Sequence, residues 1–576
     1  MSSRFRAAVL LLTSTSVLSG CPKPQVASRT TFRVDTPDAR AERGALKPKV
    51  DALSKDAEAL LHAQDELVWK HWTGGTGADL GKTYAGHEAL LSRDSIQRVD
   101  RLRALSVDAR DLRALTYLKS YLVGEYLARQ TAEVSEAIAN LEASMSFSAE
   151  GHDHPYRELD RLLLSEPSLA KRHALYAASL PSVNRLNESL NRRNEKVTAL
   201  LRELGYPSNE AFGVELRQAD LSALSAAAEE VIHRTSVAYT QLLALRAKTR
   251  LQASVLQLQR ADLPRLFRAP DVDRFFPKAQ LLPRALETLK GMGFDLAALK
   301  NIHLDVKDSP RKSSRALTLP VAVPGDIRVS LRLTGGARDQ RTLFHELGHA
   351  LHDGLTSEPR FELAQLGNGT VAEVFAYLFE DLVDDRLWLE QNAGLPGAER
   401  EEYLAGANAQ RLYLLRRVSG RLLYQVMRER LPEGDPGKGL YALLLKRVDT
   451  LPLTPADEAR YLVDADELYP AADTFRAALI AVQLEAQLRT RFGVTWWNRK
   501  EAGAFLRGLF ASGDSLTPDE LARAFGDPGL RPEVMVNRLL GSLRFDPTPP
   551  PPSAHPPLPL NPPDGGAPAA ADAGAP

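Results

Sequence analysis

The chain has 576 residues, 44% of them hydrophobic and 25% charged, with Lys+Arg and Asp+Glu balanced at 73 each. That length supports a large core and more than one lobe, and the composition is that of a soluble globular protein. The balance leaves no basic excess of the kind a nucleic-acid binder carries, so no nucleic-acid partner is expected.

The N-terminus reads MSSRFRAAVLLLTSTSVLSGC. Arg4 and Arg6 make a positive start, and Ala7 to Leu18 form an apolar run too short to span a bilayer comfortably. Cys21 is the sole cysteine, so no intrachain disulfide can form. Leu18-Ser19-Gly20-Cys21 resembles the lipobox of bacterial lipoproteins, in which the peptide is cut before the cysteine and the thiol is lipidated. The resemblance implies a signal peptide over 1–20, a lipid anchor on Cys21 and a place on the bacterial cell envelope. Pro22 stands where an Asp would favour inner-membrane retention in enteric bacteria, so the outer membrane is expected. The blander alternative is a secretory signal with an incidental cysteine. Residues 21–40 read as a polar tether.

From 41 to 545 the pattern is mostly helical. Val50, Leu53, Ala57, Leu60, Leu61, Leu67 and Val68 recur at near-helical spacing. The Ala- and Leu-rich stretch from Asp220 to Gln257 reads as one or two long helices. Near the C-terminus, FRAALIAVQLEAQLRTRFG ends at Gly493, a natural helix stop. The segment 546–576 is rich in Pro, Ala and Gly and almost uncharged, and reads as a disordered surface spacer.

One region breaks the helical pattern. Ile327, Val329, Leu331 and Leu333 alternate with Arg328, Ser330 and Arg332, which is the period of a half-buried strand. Pro320 and Pro324, just upstream, fit a sheet edge or a loop. Gly335-Gly336 turns the chain, and Asp339 is a plausible N-cap for the helix that follows.

That helix contains TLFHELGHALHDGLT, from Thr342 to Thr356. Residues i and i+4 share one helix face, so His345 and His349 can present two imidazoles to one metal ion. Glu346 lies roughly 100° further round, where it can reach a water on an open coordination position. Imidazole and carboxylate donors suit one zinc ion, and three protein ligands with one open position make the catalytic arrangement. With 12 histidines in the chain, the bare motif arises by chance in about one such sequence in a hundred, so context has to decide. Gly348 permits a close approach of backbone or substrate. The strand beside the helix offers an edge to which a peptide could add. His352 reads as supporting or structural. The third ligand falls in GTVAEVFAYLFEDLVDD, where Glu373, Tyr377, Glu380 and Asp384 form a stripe beside an apolar face. By spacing alone, either Glu373 or Glu380 can serve, and a solvated face is the bland alternative.

These segments resemble a gluzincin metallopeptidase, nearest to the group of thimet oligopeptidase, angiotensin-converting enzyme and their bacterial relatives. TLFHELGHALH is similar to their zinc helix, IRVSLRLTGG to their edge strand, and GTVAEVFAYLFEDL to the helix carrying their glutamate ligand. The resemblance is closest over Arg315–Asp385 and extends to Asp457–Asp527; the N-terminal 300 residues match only as long helices. It implies a mainly α, two-lobed helical metallopeptidase with a deep channel and a small β-sheet beside the zinc helix. It also implies one zinc ion on His345, His349 and Glu373, with Glu346 as the water-activating base, and short peptides as substrates. A monomer is expected, acting as an oligopeptidase or carboxypeptidase.

Two departures stand out. Relatives place a tyrosine, often with a histidine before it, to stabilise the oxyanion. Here no histidine occurs between His352 and His555, and Thr474 stands where an aromatic hydroxyl is expected. Tyr469 is the candidate for that role, with Tyr461 behind it. Tyr377 occupies the position of an acidic residue that orients a ligand histidine in many relatives. These departures keep open a catalytically impaired peptide-binding or scaffold lipoprotein.

Overall fold

The computed structural model describes residues 35–75, 79–268, 270–367, 369–432 and 434–543. Cys21, the signal segment 1–20, most of the tether and the tail 546–576 lie outside them. Over the described residues the protein is a mainly helical body with two small sheets. Among the described residues, no helix is long and apolar enough to cross a membrane.

Helix α1 (Pro37–Gly74) starts inside the segment read as a tether, because Pro37 opens it and Thr36 Oγ1 accepts from Ala39 N at 3.1 Å. It is followed by α2 (Ala109–Gln130), by a hairpin of β1 (Ser146–Ala149) and β2 (His152–Pro155), and by α3 (Leu180–Glu203) and α4 (Asn209–Arg217). Leu60 of α1, Leu118 and Leu122 of α2, Leu201 of α3 and Phe212 of α4 form an N-terminal core. The Ala/Leu-rich stretch is one helix, α5 (Leu221–Leu251), since Asp220 caps its start and neither Gly nor Pro interrupts it.

The second sheet has the order β3 (Ile302–Asp305), β5 (Asp326–Ser330), β4 (Leu317–Ala322), with β3 parallel and β4 antiparallel to β5. Ile327 and Val329 are buried, as the alternation predicts. The strand read as the edge is, however, the central one. The edge beside the helix that carries His345 and His349 is β4, whose Pro320 costs nothing on an unpaired side. Alternation also sorts the faces of β4: Leu317, Leu319 and Val321 pack on Val68 and Trp72 of α1, and Thr318 turns to the other side.

After the sheet come α6 (Ala337–Gly354), α7 (Thr370–Glu380), α8 (Gly397–Arg428) and α9 (Pro470–Phe492), the last ending at Gly493 as its sequence predicts. Phe344, Leu347 and Leu351 of α6 share a core with Val374 and Phe375 of α7 and Ile480 and Leu484 of α9. Helices α5 and α8 build another, through residues such as Ile232, Leu243, Leu412 and Leu422. Between the N-terminal core and β4 lies a cavity of about 80 Å³, walled by Leu61, Tyr121, Glu125, Arg217, Pro320 and Gln365, among others.

Candidate metal centre

The start of α6 sets the phase of everything on it. Gly335 and Gly336 have φ of +110° and +95°, a region that L side chains rarely adopt. A Cβ on Gly336 would lie 2.7 Å from Asp273 Oδ1, which instead accepts from Ala337 N at 3.0 Å. Asp339 is therefore not the N-cap. It sits inside the first turn and reaches back, accepting from Thr334 N at 2.5 Å and Gly335 N at 2.9 Å. The sequence placed the right acid at the right turn but gave it the wrong partner, because the cap comes from a distant segment.

With that phase, His345 and His349 lie edge to face with ring centroids 4.9 Å apart. Glu373 faces both from α7: Oε2 is 3.7 Å from His345 Nε2 and Oε1 is 3.9 Å from His349 Nε2. One donor atom from each of the three lies within 4.8 Å of the others. Ligands about 2.0–2.1 Å from one tetrahedral ion stand roughly 3.4 Å apart. The two His–Glu373 contacts, each through one carboxylate oxygen, exceed that by a few tenths of an ångström, and the three donors together lie within 4.8 Å. Two imidazoles and a carboxylate are also the donor set that zinc takes, so the residues fit the ion.

Gly348 explains why α7 comes so near. A Cβ there would meet Ala376 Cα and Phe375 O, each at 2.7 Å. The two helices touch backbone to backbone at this residue, which brings Glu373 within reach of both histidines. Gly367 serves the loop before α7 in a similar way, since a Cβ would strike the Asp514 side chain.

Glu380 takes the orienting role that the sequence left vacant at Tyr377. His345 Nδ1 donates to Glu380 Oε2 at 3.0 Å, which leaves Nε2 as the metal-facing nitrogen. Arg341 Nη2 donates to Glu380 Oε1 at 3.1 Å, and Arg341 pairs in turn with Asp384. Tyr377 packs edge-on at 5.6 Å from the His345 ring. The stripe is thus no solvated face. Glu380 both bonds a candidate ligand histidine and pairs with a basic side chain.

Charge distributes unequally over the two imidazoles. Burial pushes His345 down, yet the Glu380 hydrogen bond and the charges of Glu373, Glu380 and Glu346 outweigh it and hold its pKa at about 9. Burial dominates at His349 and lowers it to about 3, with the neighbouring His345 adding to the fall. For Glu380 burial pushes upward, but the His345 bond, Arg341 and Arg411 bring it to about 2.

Glu346 is buried, and its Oε2 accepts from Thr318 Oγ1 at 2.7 Å. Thr318 thereby ties the base to β4. Nothing in the sequence marked it, because only the strand pairing brings position 318 to position 346. Two residues on, Gln365 Nε2 donates to Pro320 O at 2.6 Å, so a side chain already holds one carbonyl of this strand.

His352 is structural: it is fully buried, stacks on Phe375 at 5.1 Å and lies 3.3 Å from Gly513 O through Nε2. Tyr469 is not brought to the cluster. It sits at the start of α9 with φ of +60°, is 3% exposed, and presses its ring on Gly213 of α4. It lines a different cavity together with Arg428, and Tyr461 is close enough to Arg428 for each to shift the other's pKa. Thr474 Oγ1 donates back to Pro470 O at 3.3 Å.

No known family profile matches the sequence, and no curated protein matches it. Solved structures do share its fold. One of them, a protein of Bacillus anthracis str. Ames assigned as an oligoendopeptidase F, superposes with a TM-score of 0.60 at 14% identity, over 90% of this chain and 97% of that one. At that identity the likeness is one of fold, a mainly helical body with small sheets.

Proposed function

We propose that the protein is a zinc-dependent peptidase that hydrolyses short peptides while held to a bacterial envelope by lipid on Cys21. The observation that carries this reading is the convergence of His345, His349 and Glu373 within 4.8 Å, with Glu346 on the same helix. Zinc bound there would supply a Lewis acid that polarises a carbonyl and acidifies a water. Glu346 is the group placed to take the proton from that water. Thr318 fixes the Glu346 carboxylate on one side, so that the other oxygen is free to turn toward the cluster. Glu380 holds the proton of His345 at Nδ1 and keeps Nε2 pointed inward. The peptide lies against β4, whose edge supports the reading of an extended substrate. The oligoendopeptidase fold of the neighbour supports the same class. The narrower kinship with thimet oligopeptidase and angiotensin-converting enzyme rests on the sequence motifs alone.

The test is zinc content together with digestion of a mixed peptide library, using Glu346→Gln as the control. Stoichiometric zinc and products that vanish in the variant are expected. Zinc without any Glu346-dependent product sinks the enzyme reading and leaves the impaired peptide-binding lipoprotein, which one observation favours: the tyrosines read as oxyanion donors gather at Arg428 instead of at the cluster. The anchor is tested separately, since labelled palmitate should enter the wild type and not Cys21→Ala.

A further inference from the structure

Away from the metal cluster, one cavity gathers buried polar groups left without partners. It measures about 50 Å³ and is walled by Asn209, Tyr424, Gln425, Arg428, Glu429 and Tyr469. Arg428, Tyr424 and Tyr469 are each at most 3% exposed. Among the described residues, none accepts from Arg428 Nε or Nη2, and none pairs with the Tyr424 or Tyr469 hydroxyl. Acceptors are unmet as well. Asn209 Nδ2 is committed to Thr198 Oγ1 at 3.0 Å and Glu429 Oε1 at 3.2 Å, and Gln425 Nε2 to Asp466 O at 2.5 Å. Their amide oxygens are left without donors.

Buried polar groups are nearly always satisfied, so such a concentration asks for an occupant. The groups cannot simply turn outward. A Cβ on Gly437 would lie 3.0 Å from Tyr424 Oη and 3.1 Å from Arg428 Nε, so backbone closes that side. Nε and Nη2 form the flat edge of a guanidinium, whose two parallel N–H groups match the two oxygens of a carboxylate. The tyrosine hydroxyls add further donors. The unmet amide oxygens beside them call for an N–H. At about 10–15 Å³ per water-sized occupant, the space admits a carboxylate and a few more heavy atoms.

We propose that this cavity binds an α-carboxylate together with the N–H on its α-carbon, with Arg428 as the fork and Tyr424 and Tyr469 as flanking donors. Two sources share that chemistry: the C-terminal residue of a peptide and a free α-amino acid. The peptide source rests on the peptidase reading and has its own support. Val197, Glu467 and Leu468 line both this cavity and the larger one that reaches Pro320 on β4, the strand whose Thr318 holds Glu346. A peptide threaded past β4 would find Arg428 at the far end.

The test is calorimetric titration of the full chain carrying E346Q, so that nothing is cleaved. The ligands are Ala-Leu-Ala-Leu as the free acid, the same peptide as its C-terminal amide, leucine and leucinamide. The free-acid peptide is expected to bind at least about tenfold tighter than the amide, the scale of a hydrogen-bonded charge pair. R428Q should erase the difference and R428K should keep part of it, with circular dichroism confirming that each is folded. Leucine preferred over leucinamide in an Arg428-dependent way, without discrimination between the two peptides, upholds the site with a free amino acid as its ligand. No preference for either acid, or a preference that survives both Arg428 variants, overturns the proposal. An acid preference in a protein that cleaves no peptide overturns the peptidase reading and leaves this site standing.

Discussion

The metal cluster and the Arg428 cavity are both made of buried polar side chains, but they are assembled in opposite ways. His345, Glu346, His349, Glu373 and Glu380 come from two helices, α6 and α7, that touch at Gly348; Glu373 faces both imidazoles and Glu380 bonds one of them. The Arg428 cavity draws on α4, α8 and the turn before α9, and several of its donors and acceptors have no hydrogen-bond partner among the described residues. The first region is complete in that its own residues supply a full set of candidate ligands, and the second is incomplete in that several buried donors and acceptors have no hydrogen-bond partner among the described residues. A site built from neighbouring helices can be read from sequence spacing, whereas one collected from distant elements shows only in the fold.

The largest effect should come from breaking the complete region. His345→Ala, His349→Ala and Glu373→Gln are each expected to abolish zinc retention and peptide cleavage, because two remaining ligands rarely hold zinc tightly. Metal analysis after dialysis decides it, and wild-type zinc content in any of the three would remove that residue from the site. Substitutions at Arg428 should leave zinc content at the wild-type level, which is the sharpest way to separate the two regions.

A stability measurement probes the incomplete region. Burial is the main force on Glu429, aided by the negative charge of Glu210 and opposed by the Asn209 bond, Arg428 and Arg202, and its pKa rises to about 7. The folded value lies above the ordinary 4.5, so its contribution is fully present at low pH and is lost as pH rises through about 7. Glu429→Gln removes the cost of ionising there. The variant should gain on the order of 3 kcal/mol over the wild type at pH 8, and the gain should shrink steadily toward pH 5. Urea unfolding at several pH values measures it, and a gain that ignores pH would place the Glu429 carboxyl in water.

Much of the fold and of the His345–His349 helix was legible in the sequence, nothing of the Arg428 cavity was, and the illegible part has a common cause. The His345–His349 spacing, the period-two alternation at Ile327 and Val329, the uninterrupted α5 and the stop at Gly493 are local patterns, and the structure follows them. What the sequence misassigned or missed depends on contacts between distant segments. Asp273 displaces Asp339 as the partner of the α6 start. Pairing order makes β5 central and β4 the edge, and so brings Thr318 to Glu346. Tyr469, chosen by register against relatives, is drawn instead to Gly213, more than two hundred positions earlier in the chain.

Glu380 tests how far the complete region depends on its support. Glu380→Gln keeps a side chain able to bond His345 Nδ1 but removes the charge that Arg341 also uses. Zinc should be retained, and zinc affinity or kcat/KM should fall about 10- to 100-fold. Complete loss of zinc would mean that Glu380 is itself a ligand, and Glu373 would have to be reassigned.

The smallest expected effect concerns the contact that makes the cluster possible. Gly348→Ala places a methyl 2.7 Å from the backbone of both Phe375 and Ala376, and backbone cannot swing aside as a long side chain can. Helices α6 and α7 must separate, at a cost of about 1–3 kcal/mol for overpacking a filled core. Glycine is otherwise a poor helix residue, so the same change at an open position should act in the opposite direction. Gly44 in α1 is exposed and would meet nothing within 4 Å, and Gly44→Ala should stabilise by about 0.5–1 kcal/mol. The pair therefore separates helix propensity from close approach. Thermal unfolding of both variants, with zinc titration of Gly348→Ala, provides the measurement. If Gly348→Ala is as stable as Gly44→Ala and binds zinc as the wild type does, the two helices are not held at contact distance by this residue, and some other feature sets the reach of Glu373.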